Sequence, residues 1–363
     1  MRFLHTADIH LGAAPDKDLP WGESRRRALW DTFAHLIDIC DRKQVDLLLI
    51  AGDLFHRTPL SRECREVNAY FSRIPDTRVV IIAGNHDCIR GASPYMDDPW
   101  APNVTVLSSE ELDSVYFPEL NTEVHGFSYH RSEIREPLYD TLRVPRDSRH
   151  HILLAHGGDE THIPIRLGKL AAAGFDYVAL GHIHAPRIFQ KAAMAYCGSP
   201  EPMDRTDIGA RGYILGDITP EGCSFRWNPC GTAEYVPVTL EVDEGSTNAD
   251  IAAKLAETLN PDPRYLYRLT LTGYRDPDTV WEEARIRGDL RIVDITDETR
   301  PAFDRERLAS EHAHDLAGLL IRTLSEDPDT AGNASEGGPG ADDPDIREMA
   351  LDFGLSALLT PEG

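Results

Sequence analysis

Apolar and polar positions alternate along the first part of the chain with two different periods. The continuous apolar runs 45–51 (VDLLLIA) and 79–83 (VVIIA) have strand length and read as strands buried on both faces. Ahead of both, residues 24–43 set Leu29, Phe33, Leu36, Ile37 and Cys40 at helical spacing, with Ser24 as the expected N-cap. A second helix is expected over 61–72 and a short opening strand over 2–7. Further strands are expected at 104–107, 124–127, 152–155, 177–180, 195–197 and 213–217. Strand–helix alternation followed by closely spaced strands predicts an α/β sandwich with mixed sheets over 1–234.

A second pattern begins near Tyr235. It reads as strand (236–242), helix (248–259), strand (265–273), helix (279–287) and strand (291–296), a small α+β module over 235–300 with no cluster of catalytic side chains. Residues 301–324 regain a helical period. The stretch 325–345 (SEDPDTAGNASEGGPGADDPD) lacks aromatic and large aliphatic residues, Lys and Arg, and is expected to be a disordered acidic linker. The last segment, 346–363, opens with apolar spacing at Ile346, Met349, Ala350, Phe353 and Leu355. A helix of this kind either docks on the body or binds a partner.

Composition narrows the class. The 363 residues are 41% hydrophobic, enough for a sizeable core, and no apolar run approaches the roughly 20 residues of a membrane helix. The opening MRFLHTADIH has no long apolar stretch of a signal peptide, and six scattered cysteines form no CxxC pair. A reducing, cytoplasmic setting is expected. The net charge of −24 argues against binding nucleic acid through bulk electrostatics. That charge is uneven. Residues 1–234 hold 33 acids and 25 bases, whereas 235–363 hold 28 acids and 12 bases. Histidine is skewed the other way, with 13 of 15 before residue 185.

Five of those histidines, together with three aspartates and an asparagine, fall in short motifs, each at or just beyond the end of an apolar strand. They are Asp8-Ile-His10 after FLHTA, Gly52-Asp53 after LLLIA, Gly84-Asn85-His86-Asp87 after VVIIA, His156-Gly157 after ILLA, and Gly181-His182-Ile-His184 after YVAL. In open α/β sheets, ligands bind beyond the carboxyl ends of the strands, so five such ends can converge on one crevice. Carboxylate, imidazole and amide without thiolate suit Mn, Fe or Zn. Two metals ~4 Å apart can activate water and steady the attacking and leaving oxygens of a phosphoryl group. They also supply positive charge that the composition lacks.

The motif set DxH, GD, GNHD, HG and GHxH, complete and in order over 8–184, resembles that of the calcineurin-like metallophosphoesterase superfamily. The resemblance implies a four-layer αββα sandwich, a small α+β capping domain and a C-terminal helical tail. It implies two divalent metal ions, Mn foremost, with Fe, Zn or Ni as alternatives. Asp8, His10 and His184 correspond to ligands of the first metal, Asn85, His156 and His182 to ligands of the second, and Asp53 to the bridging carboxylate. His86 corresponds to the histidine that protonates the leaving oxygen, with Asp87 orienting it.

The stretches FLHTADIHLG, GDLFHRTPLS, YCGSPEP and RGYILGDI resemble the DNA repair nuclease branch, the SbcD-like subunits, over about 1–219. In that branch the module after the nuclease domain helps position DNA. His56 matches a histidine linked to exonuclease work, and a C-terminal segment binds an SbcC-like coiled-coil ATPase. A homodimer is also implied. The implied activity is exonuclease or endonuclease cleavage of DNA phosphodiesters. Composition opposes it, since 235–324 carries 18 acids against 11 bases. Two other readings use the same motifs: a phosphoesterase for cyclic nucleotides or nucleotide sugars, and a catalytically silent scaffold of an ATPase complex. The presence of all seven ligand positions and His86 opposes the scaffold.

Overall fold

The computed structural model describes residues 1–91, 93–97, 99–145, 147–325 and 344–359. The chain divides into two units, one of Met1–Val236 with Pro263–Leu266 and one of Pro237–Asp262 with Tyr267–Gly363.

The apolar runs of the front form two six-stranded sheets. The first has four parallel strands, β1 (Arg2–Thr6), β2 (Leu47–Ala51), β3 (Arg78–Ile82) and β4 (Val104–Val106). The second holds β5 (Asp113–Phe117), β6 (Thr122–Gly126), β7 (His150–His156), β8 (Tyr177–Gly181), β9 (Arg187–Phe189) and β10 (Met194–Tyr196). Here β6, β7, β8 and β10 run parallel, with β5 and β9 antiparallel at the edges. A hairpin of β11 (Gly212–Thr219) and β12 (Gly222–Pro229) returns to the first sheet, β11 lying antiparallel to β1.

The apolar runs are continuous because each strand feeds two cores. Leu48 and Ile50 of β2, with Val79 and Ile81 of β3, pack with Leu29 and Phe33 of helix α1 (Gly22–Lys43) and Val67 and Phe71 of α2 (Ser61–Phe71). The intervening Leu47, Leu49, Val80 and Ile82 meet Ile152, Leu154, Tyr177 and Ala179 between the sheets. On the far side, Leu153, Ala155, Val178 and Leu180 pack with Tyr129, Tyr139, Ile163 and Leu170. The helices α3 (Pro94–Asp97) and α4 (Leu167–Ala171) are short, so the fourth layer, which α4 joins, is mostly loop. This is the expected αββα sandwich. Truncating Leu49 to Ala opens a cavity between the sheets and costs about 2–5 kcal/mol.

Within the two six-stranded sheets, three strands escaped the sequence pattern. β5, β9 and β12 pair along one edge only, and each leaves part of its length exposed, so no continuous apolar run marks them. The expected cap also moves. Trp21, not Ser24, occupies the N-cap of α1, and Ser24 Oγ donates to the Trp21 carbonyl from within the first turn.

The rest of the chain adds β13 (Glu234–Val242), β14 (Tyr265–Arg275), β15 (Ile292–Asp297) and β16 (Arg300–Pro301), with β14 between its neighbours. The helices are α5 (Asn248–Thr258), α6 (Glu283–Arg287), α7 (Arg305–Glu311), α8 (Leu316–Ser325) and α9 (Pro344–Leu359). The single helix expected over 301–324 is broken at Asp315, whose carboxylate accepts from the Ala317 and Gly318 amides and starts α8 anew. Within this second unit α9 docks on α7 and α8. Leu351 and Leu355 join Leu308, Ala317 and Ile321, and Arg305 pairs with Glu348 and Asp352. The acidic stretch expected to be a linker lies, apart from its ends, outside the described residues.

Candidate metal centre

The five motif segments leave the carboxyl ends of β1, β2 and β3 in one sheet and of β7 and β8 in the other. These are adjacent strands in each sheet, so the stacked sheets bring all five ends together. The backbone there is contorted. Asp8, His10, Asp53 and His182 have φ of 53°, 51°, 51° and 91°. A non-glycine residue in this left-handed region costs of order 1–3 kcal/mol, and such strain concentrates at functional sites. Two glycines allow the crowding. A Cβ on Gly84 would stand 2.2 Å from Asp53 Oδ1, and one on Gly52 would stand 2.3 Å from His156 Nδ1.

The side chains interlock around Asp53. Its Oδ2 lies 3.8 Å from His10 Nε2 and 3.4 Å from His156 Nε2, facing two groups of imidazoles at once. On one side His10 Nε2 and His184 Nε2 face each other at 3.2 Å. On the other, Asn85 Oδ1 is 2.9 Å from His156 Nε2 and 3.1 Å from His182 Nδ1. Asp8 borders both groups, with Oδ1 3.9 Å from His156 Nδ1 and both oxygens accepting from the His182 amide. Candidate ligand atoms of Asp8, His10 and His184, and separately of Asp8, Asp53 and His156, lie within 4.8 Å of one another.

This arrangement fits metal. Two imidazole nitrogens bound tetrahedrally at about 2.1 Å from one ion sit roughly 3.4 Å apart, close to the His10–His184 separation. Asp8, His10, Asp53 and His156 are buried, and His10 Nδ1 is a buried nitrogen without a hydrogen-bond partner. Burial raises Asp8 to about 6 against the pull of His156 and His184. Burial would also raise Asp53, but the neighbouring His156 and His10 hold it well below the usual carboxylate range. His156 is raised to about 9, because Asp53 and Asp8 outweigh its burial. His10 is driven well below its ordinary value by burial, with the nearby imidazoles adding to the effect of burial. Buried carboxylates and imidazoles with no lysine or arginine among them form a donor set that a divalent ion would neutralise.

The outer partners include residues that the motifs did not mark. Asp159 Oδ2 lies 2.7 Å from His182 Nε2 and 2.8 Å from His162 Nδ1. Asp207 Oδ2 lies 3.1 Å from His184 Nδ1 and accepts from the Met203 amide. The expected role of Asp87 needs correction. Its carboxylate accepts from the Gly84 amide (2.7 Å), the Phe55 amide (3.1 Å) and the Tyr95 hydroxyl (2.6 Å), tying the loop after β3 to the loop after β2. The His86 ring instead has Nδ1 3.2 Å from the His56 carbonyl, while its amide donates to Asp53 Oδ1. His56 and His86 are exposed and their rings stack at 5.2 Å, forming the rim above His10.

Fold and site define a phosphoesterase. Residues 1–186 match the family model for calcineurin-like phosphoesterases, and the chain belongs to that family. It is 28% identical over 284 residues to the uncharacterized metallophosphoesterase YhaO of Bacillus subtilis, covering 72% of this chain and 68% of that protein. It is 26% identical to the DNA double-strand break repair protein Mre11 of Sulfolobus acidocaldarius, with 75% of each chain covered. The Mre11 protein of Halobacterium salinarum is 28% identical, covering 84% of this chain and 79% of the relative. Among the described residues no helix is long and apolar enough to cross a membrane, and all six cysteines are free.

Proposed function

We propose that this chain is a metal-dependent phosphodiesterase that hydrolyses DNA, acting as the nuclease subunit of a repair complex with a coiled-coil ATPase of the SbcC type. The observation that carries the reading is Asp53 lying between two imidazole groups, with His86 at the exposed rim 4.8 Å from His10, ring to ring. The names of the Mre11 relatives support DNA as substrate, and the His56–His86 rim offers an exposed approach for a phosphodiester.

In this reading Asp8, His10 and His184 hold one divalent ion, Asn85, His156 and His182 a second, and Asp53 both. Manganese suits this oxygen and imidazole set, as do iron, zinc and nickel. A bound metal pair supplies an activated water and offsets the charge on the phosphoryl oxygens. The chain's own groups do the rest. With Nδ1 held at the His56 carbonyl, the His86 ring offers Nε2 as the proton donor to the departing oxygen. His56 packs against that ring and holds its plane. Asp87 and Tyr95 fix the loop that carries His86. A cytoplasmic location and a homodimer belong to the same reading.

The test is to offer the manganese-loaded chain linear duplex DNA, single-stranded DNA and bis-p-nitrophenyl phosphate. Cleavage of DNA together with the small diester supports the nuclease. Turnover of the small diester with no cleavage of any DNA, with its ATPase also present, overturns the DNA reading and leaves a small-molecule phosphodiesterase.

A further inference from the structure

A second group of metal-type side chains lies away from the catalytic cluster. On β6, Glu123 and His125 are two residues apart and share a face. The parallel register sets His151 of β7 opposite Glu123. The residues between them, Val124 and Ile152, point into the core between the sheets, so this trio faces the other way. His125 Nε2 and His151 Nδ1 stand 2.9 Å apart. Candidate ligand atoms of Glu123, His125 and His151 all lie within 4.8 Å of one another. His151 precedes the catalytic-cluster residue His156 by five positions on one strand, roughly 16 Å, so no ion could be shared between the two groups.

We propose that Glu123, His125 and His151 form a third metal site, of the zinc class, in the phosphoesterase unit. Both imidazoles are more than nine-tenths buried, 8% and 3% exposed. Facing nitrogens at this distance share one proton between them. Two imidazoles and one carboxylate are a recurrent zinc ligand set that leaves a fourth position open. Behind His151, Asp147 Oδ1 lies 3.1 Å from Nε2. Carboxylates in this position fix the tautomer and orientation of metal-bound histidines. Glu123 Oε2 is buried and accepts no well-aligned hydrogen bond, though Arg149 Nη1 stands 2.8 Å away. In the metal-free protein that guanidinium offsets Glu123. Arg149 also donates from Nε to Asp147 Oδ2 at 2.7 Å, so an ion that takes its place at Glu123 leaves the guanidinium on Asp147. An ion here clips β6 to β7 near the β5 edge.

The site is tested by counting metal. The full chain is stripped with chelator, reloaded with zinc, desalted and assayed for bound zinc per chain. His151→Gln and Glu123→Gln should each retain one equivalent fewer than the unaltered chain while hydrolysing bis-p-nitrophenyl phosphate at an unchanged rate. Asp147→Asn should weaken that equivalent about 10–100-fold. Arg149→Gln should tighten it, because the competing cation is gone. Should His151→Gln fail to fold, Glu123→Gln and Arg149→Gln decide the matter. Equal zinc content in the unaltered chain and Glu123→Gln, together with unchanged affinity in Arg149→Gln, overturns the site.

Discussion

Asp159 Oδ2 meets His182 Nε2 at 2.7 Å, and this leaves His182 Nδ1 turned toward Asn85 Oδ1 at 3.1 Å. The carboxylate thereby fixes which ring nitrogen faces the cluster. His162, also on Asp159, completes the brace. Asp159→Asn keeps the size of the side chain but removes the charge that orients the ring. Affinity of the chain for manganese, read by titration calorimetry, should fall about 10–100-fold, with thermal stability of the stripped protein unchanged. Affinity equal to that of the unaltered chain would mean that Asn85 alone positions His182.

Asp53 and His86 separate by function. Asp53→Ala removes the carboxylate between the two imidazole groups and leaves His156 without its main countercharge. It should lose bound manganese and all diester hydrolysis. His86→Asn leaves those groups intact. It should keep its metal content and lose about 10²–10⁴-fold in turnover. An unchanged turnover number in His86→Asn removes the proton-donor role.

Tyr95 supports the loop through Asp87. Both are buried, the hydroxyl donates to the carboxylate at 2.6 Å, and burial followed by the charge of Asp53 lifts Asp87 to about 7. Tyr95→Phe deletes one donor and leaves the Gly84 and Phe55 amides in place. The expected loss is about 1–3 kcal/mol of stability, measured by urea unfolding, with a smaller loss of activity than in His86→Asn. A variant as stable as the parent would show that a water or neighbouring group replaces the hydroxyl.

These tests divide what was readable from what was not. The convergence of the five motif segments was legible because each follows a strand too apolar to carry polar groups inside its cores. The layering was legible in β2 and β3 because alternate residues feed different cores. The partners Asp159 and Asp207 were not, since each reaches its histidine across 23 residues from a separate loop. The left-handed backbone at Asp8, His10, Asp53 and His182 also left no mark, because none is glycine. Asp87 misled for a related reason. Adjacency to His86 implied contact, but its short side chain turns back to the amides of Gly84 and Phe55.

His5 sets an acid limit on stability. It is fully buried on β1, with Nδ1 2.9 Å from the Tyr177 hydroxyl. Burial lowers its pKa from 6.5 to about 3, against a smaller opposing effect of the Leu180 backbone. The folded protein therefore excludes a proton that the unfolded chain accepts between these values. Above pH 6.5 both states are neutral at this position and the effect vanishes. Below it, stability falls with pH, at a slope approaching about 1.4 kcal/mol per pH unit. His5→Asn removes the titrating group. Urea unfolding in chelator at pH 7.5, 5.5 and 4.5 should show the parent losing more stability than the variant at each step. Subtracting the two curves cancels the titration of the cluster around Asp53, which both share. A constant offset between them across this range would mean that the folded protein already protonates His5, and that the Tyr177 pairing tolerates the charge.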